Sequence, residues 1–192
     1  MRARDFVIFF SVAFSIYGLV NFYIFTHGFA SLGAYPEMRG LYVGAYMFVA
    51  LSWILGRFLE RVRITPVSTA LVWFGSFWLA AMVYFLLIVF AVDVARLLNA
   101  IIPVLPAALF LPETKFILGV ASIVIVAGVV IGGAINAAIP RIKTLELLVP
   151  KKSNLKSLNI VVASDIHLGT IICKARLERI VEKINSLNAD IV

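Results

Sequence analysis

Residues 159–169 read Asn-Ile-Val-Val-Ala-Ser-Asp-Ile-His-Leu-Gly, and they mark the start of a second fold within the chain. The apolar run from Ile160 to Ala163 is rich in β-branched residues and predicts a strand that is covered on both faces. It leads into Asp165 and His167, two good metal ligands, and then into Gly169. Many α/β hydrolases begin a metal site in this way, at the carboxyl end of a parallel strand.

The chain as a whole has the composition of a membrane protein. Hydrophobic residues make up 62% of the 192 residues and charged residues 14%, and the mean hydropathy is +1.05. These values exclude a water-soluble domain for the chain as a whole. Nine of the seventeen Lys and Arg residues and five of the ten acids lie in residues 141–192. The chain therefore has a lipid-soluble part up to about residue 140 and a mixed part after it.

Four uncharged stretches are close to or above the roughly 20 residues that a helix needs to cross a bilayer. They predict four transmembrane helices, at about residues 6–26, 40–59, 68–92 and 116–139. The second extends past its uncharged residues, 40–56, and is expected to place Arg57 at the interface. Residues 97–112 are also uncharged, but three prolines interrupt them, so we predict an interfacial or re-entrant connection there. A fifth span is the alternative for this stretch. The predicted domains are a transmembrane domain (1–145), a basic linker (146–157) and a fragment of a second domain (158–192).

The distribution of basic residues predicts the orientation in the membrane. With the N-terminus inside, the inner segments carry ten Lys and Arg residues and the outer loops carry three. This positive-inside bias predicts a multi-pass protein of a plasma or inner membrane with both termini in the cytoplasm. The same bias, together with contact with anionic headgroups, accounts for the net charge of +7. Nucleic acid is therefore not an expected partner.

Few polar residues lie in or beside the spans. Asn21 and Asn136 each predict an interhelical hydrogen bond, with a place on a substrate path as the alternative. Asp93 and Arg96 are three residues apart on one helical face and predict an ion pair at the interface. His27, at the end of the first span, is interpreted as an interfacial polar side chain.

Small residues recur at a spacing of four in two spans. Gly128 and Gly132 form such a face in the fourth span, and Ser76 and Ala80 form another in the third. Both are interpreted as sites of close helix packing within the bundle. The single cysteine, Cys173, excludes an intrachain disulfide and is expected to be a small buried residue.

The mixed part predicts the beginning of an α/β fold. Apolar residues at spacings of three and four indicate an amphipathic helix from about Lys174 to Leu187. Residues 191–192 have the character of a second strand. The predicted fold class is therefore an α-helical membrane bundle of four transmembrane helices, followed by the first βαβ unit of an α/β domain.

Geometry makes Asp165 and His167 a candidate metal site. On an extended backbone, residues i and i+2 project to the same side, so both side chains can reach one ion. A carboxylate with an imidazole suits Mn, Fe or Zn better than Ca. Gly169 is expected to allow a sharp turn and the approach of a phosphate or a second ligand loop. The alternative is a strand end followed by an ordinary polar turn.

Residues 161–169 resemble the first signature block of the calcineurin-like metallophosphoesterases, and residues 177–192 are similar to the helix and strand that follow it. Several spans before such a domain further resemble the membrane-anchored type of that family. The resemblance implies a metallophosphoesterase domain in which Asp165 and His167 bind one of two divalent metal ions. The family's remaining ligands, a bridging Asp, an Asn-His pair and later histidines, are not in this sequence.

The resemblance implies a membrane-anchored, metal-dependent phosphoesterase that hydrolyses phosphoric esters by attack of metal-bound hydroxide. Its partners would be the lipid bilayer and a phosphoester substrate. Since only half of one ion site is present, we expect this chain to be an N-terminal portion of a longer enzyme or a truncated gene product, and inactive alone. Its polar segment of about 40 residues is too small for an independent core and is expected to be poorly ordered. The alternative is a non-enzymatic four-helix membrane protein, such as a transport or assembly subunit. Substrate, metal identity and oligomeric state remain open.

Overall fold

The computed structural model describes residues 3–150, 155 and 157–192. Residues 151–154 and 156, which belong to the predicted basic linker, lie outside the described residues. The chain divides into two compact units, Met1–Ile131 and Gly132–Val192, and each is described by itself.

Long helices build the first unit, and the number of membrane-length helices agrees with the four predicted spans. Helix α1 covers Ala3–Ser31, α2 covers Arg39–Val62, α3 covers Pro66–Ile101, and α4 begins in this unit and covers Pro112–Ala138. All four are long and apolar enough to cross a membrane. The helices extend beyond the predicted spans at most of their ends, and α3 has 36 residues.

Local sequence explains where α3 begins and ends. Thr65 and Ser68 form a capping box, in which each side chain accepts a hydrogen bond from the other residue's backbone N–H, and Pro66 occupies the first turn. After Ile101, Pro103 cannot continue the helix. The side-chain oxygen of Asn99 accepts from the N–H groups of residues 104 and 105 at 2.9 and 2.7 Å. Between α3 and α4, the described chain contains only a 3₁₀ turn, Ala107–Phe110, so no fifth span forms there.

Helices α2 and α3 pack closely at two glycines. A Cβ atom on Gly56 would lie 2.7 Å from the backbone nitrogen of Val72, and one on Gly75 would overlap the backbone of Trp53. Only glycine permits this approach. By contrast, a Cβ on Gly128 or Gly132 would meet nothing within 4 Å, so the predicted close packing at that face is wrong for the described residues.

A polar network centred on Asn21 joins α1 to α2 and α3. Its side-chain oxygen accepts from the indole nitrogen of Trp78 at 3.0 Å and from the hydroxyl of Tyr46 at 3.3 Å. Tyr46 also donates to the backbone oxygen of Asn21 at 2.7 Å, and Tyr17 donates to the backbone oxygen of Ala50 at 2.5 Å. The predicted interhelical hydrogen bond of Asn21 is therefore confirmed.

Asn136 differs, because its side-chain oxygen accepts from Arg141, five residues further along the chain.

The outside of the helices is apolar. Large hydrophobic side chains are widely exposed on every long helix, among them Leu19 (68%), Leu41 (72%), Leu87 (59%) and Ile117 (62%). In water such a surface would be very unfavourable, whereas hydrocarbon solvates it without cost. The helices are therefore suited to a lipid bilayer.

The second unit contains one further helix, α5, at Lys174–Asn185, which confirms the predicted amphipathic helix. The predicted strands on either side of α5 form only one parallel bridge, between Ile160 and Ile191. No strand is present among the described residues, so the predicted βαβ unit is not confirmed. Parallel strands need neighbours and cover on both faces, and Val162, in the middle of the predicted strand, is 83% exposed.

Candidate metal centre

Asp165 and His167 lie in an irregular segment between the bridge residue Ile160 and helix α5. Both have a left-handed backbone, with φ of 56° at Asp165 and 48° at His167. This conformation is uncommon outside glycine, although Asp and His tolerate it better than most residues. The predicted extended backbone is therefore not what brings the two side chains together. Two left-handed residues, one on each side of Ile166, do so.

The two candidate ligands lie within reach of one ion. The Nε2 atom of His167 is 3.7 Å from Oδ1 of Asp165, and the side chains are 79% and 85% exposed. Donor atoms bound to a first-row metal lie about 2.1 Å from it, so two donors on one ion are at most about 4.2 Å apart. The observed separation is within that limit. A carboxylate oxygen and an imidazole nitrogen at this distance therefore fit a shared Mn, Fe or Zn ion.

Hydrogen bonds join the start of the segment that carries these ligands to the residues that follow α5. The N–H of Val161 donates to the backbone oxygen of Ile191 at 2.9 Å, and the N–H of Asp190 donates to that of Asn159 at 2.8 Å. The side-chain amide of Asn159 donates to Leu187 at the end of α5, at 2.8 Å. The chain therefore runs from one bridge residue through α5 to the other, in the order that the sequence predicts. Only one residue pair forms the parallel bridge.

The supporting role of Gly169 stays a prediction, whereas Cys173 differs from its expected burial. Gly169 has no positive φ, and a Cβ atom there would meet nothing within 4 Å. Its N–H donates to the backbone oxygen of Ile172 at 3.2 Å, a bond that any residue except proline could make. The structure therefore gives no local reason for glycine at this position. Cys173, expected to be buried, is an exposed free thiol before the first turn of α5.

The site is incomplete in the part of the chain that the structure describes. No group of three or more His, Cys, Asp or Glu side chains is placed to hold a metal ion there. The carboxylate of Asp190 accepts from the backbone N–H of Asn159 at 2.7 Å, so it has a structural role. Asp165 and His167 could therefore supply two donors, and other ligands would have to complete the shell.

A second polar cluster, at the ends of α1 and α3, was only partly predicted. Arg96 lies 3.6 Å from the carboxylate of Asp93, which confirms the predicted ion pair. The same carboxylate accepts a hydrogen bond from Tyr23 at 2.6 Å and lies 3.0 Å from Nε2 of His27. The sequence did contain a signal for this contact, since His27 and Asp93 each directly follow a predicted span. Parallel helices that both begin on one side of the membrane bring those positions to the same depth.

One comparison with known proteins points to the same class of protein as the sequence. The chain is 39% identical over 75 residues to a zebrafish (Danio rerio) protein described as a transmembrane protein with metallophosphoesterase domain. The matched segment is 38% of this chain and 17% of that relative, so the chain spans only a small part of the relative's length. No protein-family model and no solved structure matches the chain. The likeness agrees with a membrane-anchored metallophosphoesterase and leaves the Asp-x-His segment to be tested.

Proposed function

We propose that this chain anchors a metal-dependent phosphoesterase in a membrane and contributes the first two ligands, Asp165 and His167, of its metal centre. The observation that carries the proposal is the 3.7 Å separation of Oδ1 and Nε2 on a segment with two left-handed residues. Uncommon backbone conformations persist where the surroundings or the function require them. The printed description of the zebrafish relative adds support, since it joins membrane spans to a metallophosphoesterase domain.

The two side chains have complementary roles in such a centre. The Asp165 carboxylate would supply negative charge, and the His167 imidazole would supply a neutral nitrogen donor through Nε2. A divalent ion supplies Lewis-acid stabilisation of the charge that builds up on a phosphoryl group and lowers the pKa of bound water. The exposure of both side chains leaves room for further ligands and for a substrate.

The membrane helices limit where such an enzyme could act. Four helices that fit a bilayer would hold the metal centre near the membrane surface. Substrates at that surface include the phosphates of lipids, nucleotides and proteins. By the positive-inside rule, the surface in question is the cytoplasmic one.

Hydrolysis of a generic phosphoester by the full-length membrane protein tests this proposal. Activity should require added Mn²⁺ or a similar ion, and Asp165→Asn and His167→Gln should each lower it by orders of magnitude. Glu178→Gln is the matched control, because it removes an exposed carboxylate of α5 that lies 3.6 Å from Nζ of Lys174, away from Asp165 and His167 in sequence. It should leave activity unchanged.

A non-enzymatic membrane protein is the second candidate. The specific observation in its favour is that the described residues bring only two donors together. A full-length protein that stays inert with every metal tried, although it inserts into membranes normally, would support this candidate and contradict the first.

A further inference from the structure

The turn between α2 and α3 has an unusual combination of charge and exposed apolar surface. It consists of residues 63–65, between the end of α2 at Val62 and the start of α3 at Pro66. Arg61 and Arg63 are both exposed here. We propose that this turn together with the adjoining helix ends, residues 57–67 and called the arginine turn, binds the headgroup of an anionic phospholipid. The proposal does not depend on the proposed enzymatic function.

The charge of the arginine turn is not neutralised within the sequence around it. Glu60 is the single acid between Met38 and Val92, while three arginines lie in residues 57–63. The carboxylate of Glu60 lies 3.1 Å from Nη1 of Arg57, and its side chain is 12% exposed. One arginine is therefore paired locally. Arg61 and Arg63 remain as an excess of two positive charges.

Exposed apolar side chains alternate with these arginines. Val62 is 77% exposed, Ile64 74% and Val67 64%, and Phe58 on the preceding turn of α2 is 69% exposed. Apolar groups with this exposure are unfavourable in water and are accommodated at the boundary between headgroups and acyl chains. The arginine turn is therefore suited to the membrane interface rather than to bulk water.

Arginine in this position favours an anionic lipid over a zwitterionic one. The guanidinium group is a planar fork of donors that matches phosphate oxygens in a bidentate manner. An anionic lipid offers that phosphate without a compensating choline or ethanolamine cation. Since a basic residue near an anionic surface contributes about fivefold in binding, two arginines should give a preference of about 25-fold.

The test measures lipid selectivity of the full chain in bilayers. Spin-labelled phosphatidylglycerol and phosphatidylcholine with identical acyl chains are compared for association with the reconstituted protein. Wild-type protein should prefer the anionic lipid. In the double variant Arg61→Gln/Arg63→Gln this preference should fall about 25-fold. The variant Arg61→Lys/Arg63→Lys keeps the charge but loses the guanidinium fork, so it should retain only part of the preference.

Arg4→Gln is the control, because Arg4 is 80% exposed and lies on the same predicted side of the membrane, but its charge is balanced by the carboxylate of Asp5 at 4.0 Å. It should leave the preference unchanged. An equal loss in Arg4→Gln would overturn the proposal in favour of general surface charge. Equal association of both lipids with wild-type protein would also overturn it, and that arm is independent of whether the glutamine variants fold.

Discussion

The indole nitrogen of Trp78 on α3 donates a hydrogen bond across 3.0 Å to the side-chain oxygen of Asn21 on α1. Asn21 is only 8% exposed and lies within a helix that is long and apolar enough to cross a membrane. An unpaired amide there would be costly, so the contact selects one arrangement of the helices.

Replacement of Trp78 by Phe should weaken the bundle. Asn21 would lose its strongest side-chain donor while most of the ring packing is kept. Interhelical hydrogen bonds in membranes contribute about 0.6 kcal/mol on average, with values up to about 1.7. We expect a loss in this range in the free energy of unfolding, measured by denaturation in mixed micelles. Trp73→Phe is the control, since the ring of Trp73 stacks on Phe77 and is 38% exposed. Equal losses in both variants would contradict the assigned role of Asn21.

Substitution of Gly75 by Ala should separate α2 from α3. The new methyl group would overlap the backbone of Trp53, which cannot move aside as a flexible side chain would. Overpacking of this kind costs about 1–3 kcal/mol. Gly128→Ala makes the same chemical change where a Cβ meets open space. Thermal unfolding in detergent should show a lower midpoint for Gly75→Ala and almost none of this effect for Gly128→Ala. A midpoint unchanged by Gly75→Ala would refute the close approach.

Asp93 and His27 should be energetically coupled. Their atoms lie 3.0 Å apart and join α1 to α3. In a double-mutant cycle of Asp93→Asn and His27→Gln, we expect a coupling of about 0.5–2 kcal/mol in the free energy of unfolding. A cycle that pairs His27→Gln with Glu113→Gln, in the first turn of α4, should give none. Additive effects in the first cycle would show that the contact contributes nothing to stability.

The side chain of Asn159 should stabilise the pairing between the residues before the candidate site and those after α5. Asn159→Ala removes the donor to the backbone oxygen of Leu187 and leaves the backbone pairing with Asp190 in place. A lost hydrogen bond of about 1 kcal/mol should speed amide exchange at Val161 and Asp190 about fivefold. Asn185→Ala, at the last residue of α5, should have little effect. Unchanged exchange in Asn159→Ala would assign the pairing to the backbone alone.

Sequence patterns predicted the helices well because the signals are strong and local. Uncharged stretches of sufficient length gave four spans, and a spacing of three and four gave α5, since both depend on residues close in sequence. The pairing of Asp93 with His27 was missed because the predicted spans give the depth of each residue but do not show which helices lie side by side. The face of Gly128 and Gly132 was assigned to close packing, whereas Gly56 and Gly75 make the close contact, because a small residue in sequence does not reveal which helix lies opposite.

The candidate metal site shows a different limit of prediction from sequence. Residue types alone identified Asp165 and His167, and their side chains do lie close together. The backbone that achieves this was not predicted, because left-handed φ values at two non-glycine residues follow from no periodic pattern. The predicted strand likewise depends on neighbours that the 33 residues from Ile160 to Val192 do not provide.

Selective broadening of histidine resonances by Mn²⁺ tests the central claim most directly. The chain contains two histidines, His27 in α1 and His167 in the candidate site, so each protein sample includes its own control. Titration of Mn²⁺ into the reconstituted chain should broaden the imidazole signals of His167 and spare those of His27. Asp165→Asn should raise the Mn²⁺ concentration required by about tenfold or more. Equal broadening of both histidines, or broadening of His167 that Asp165→Asn does not alter, would contradict a shared metal site.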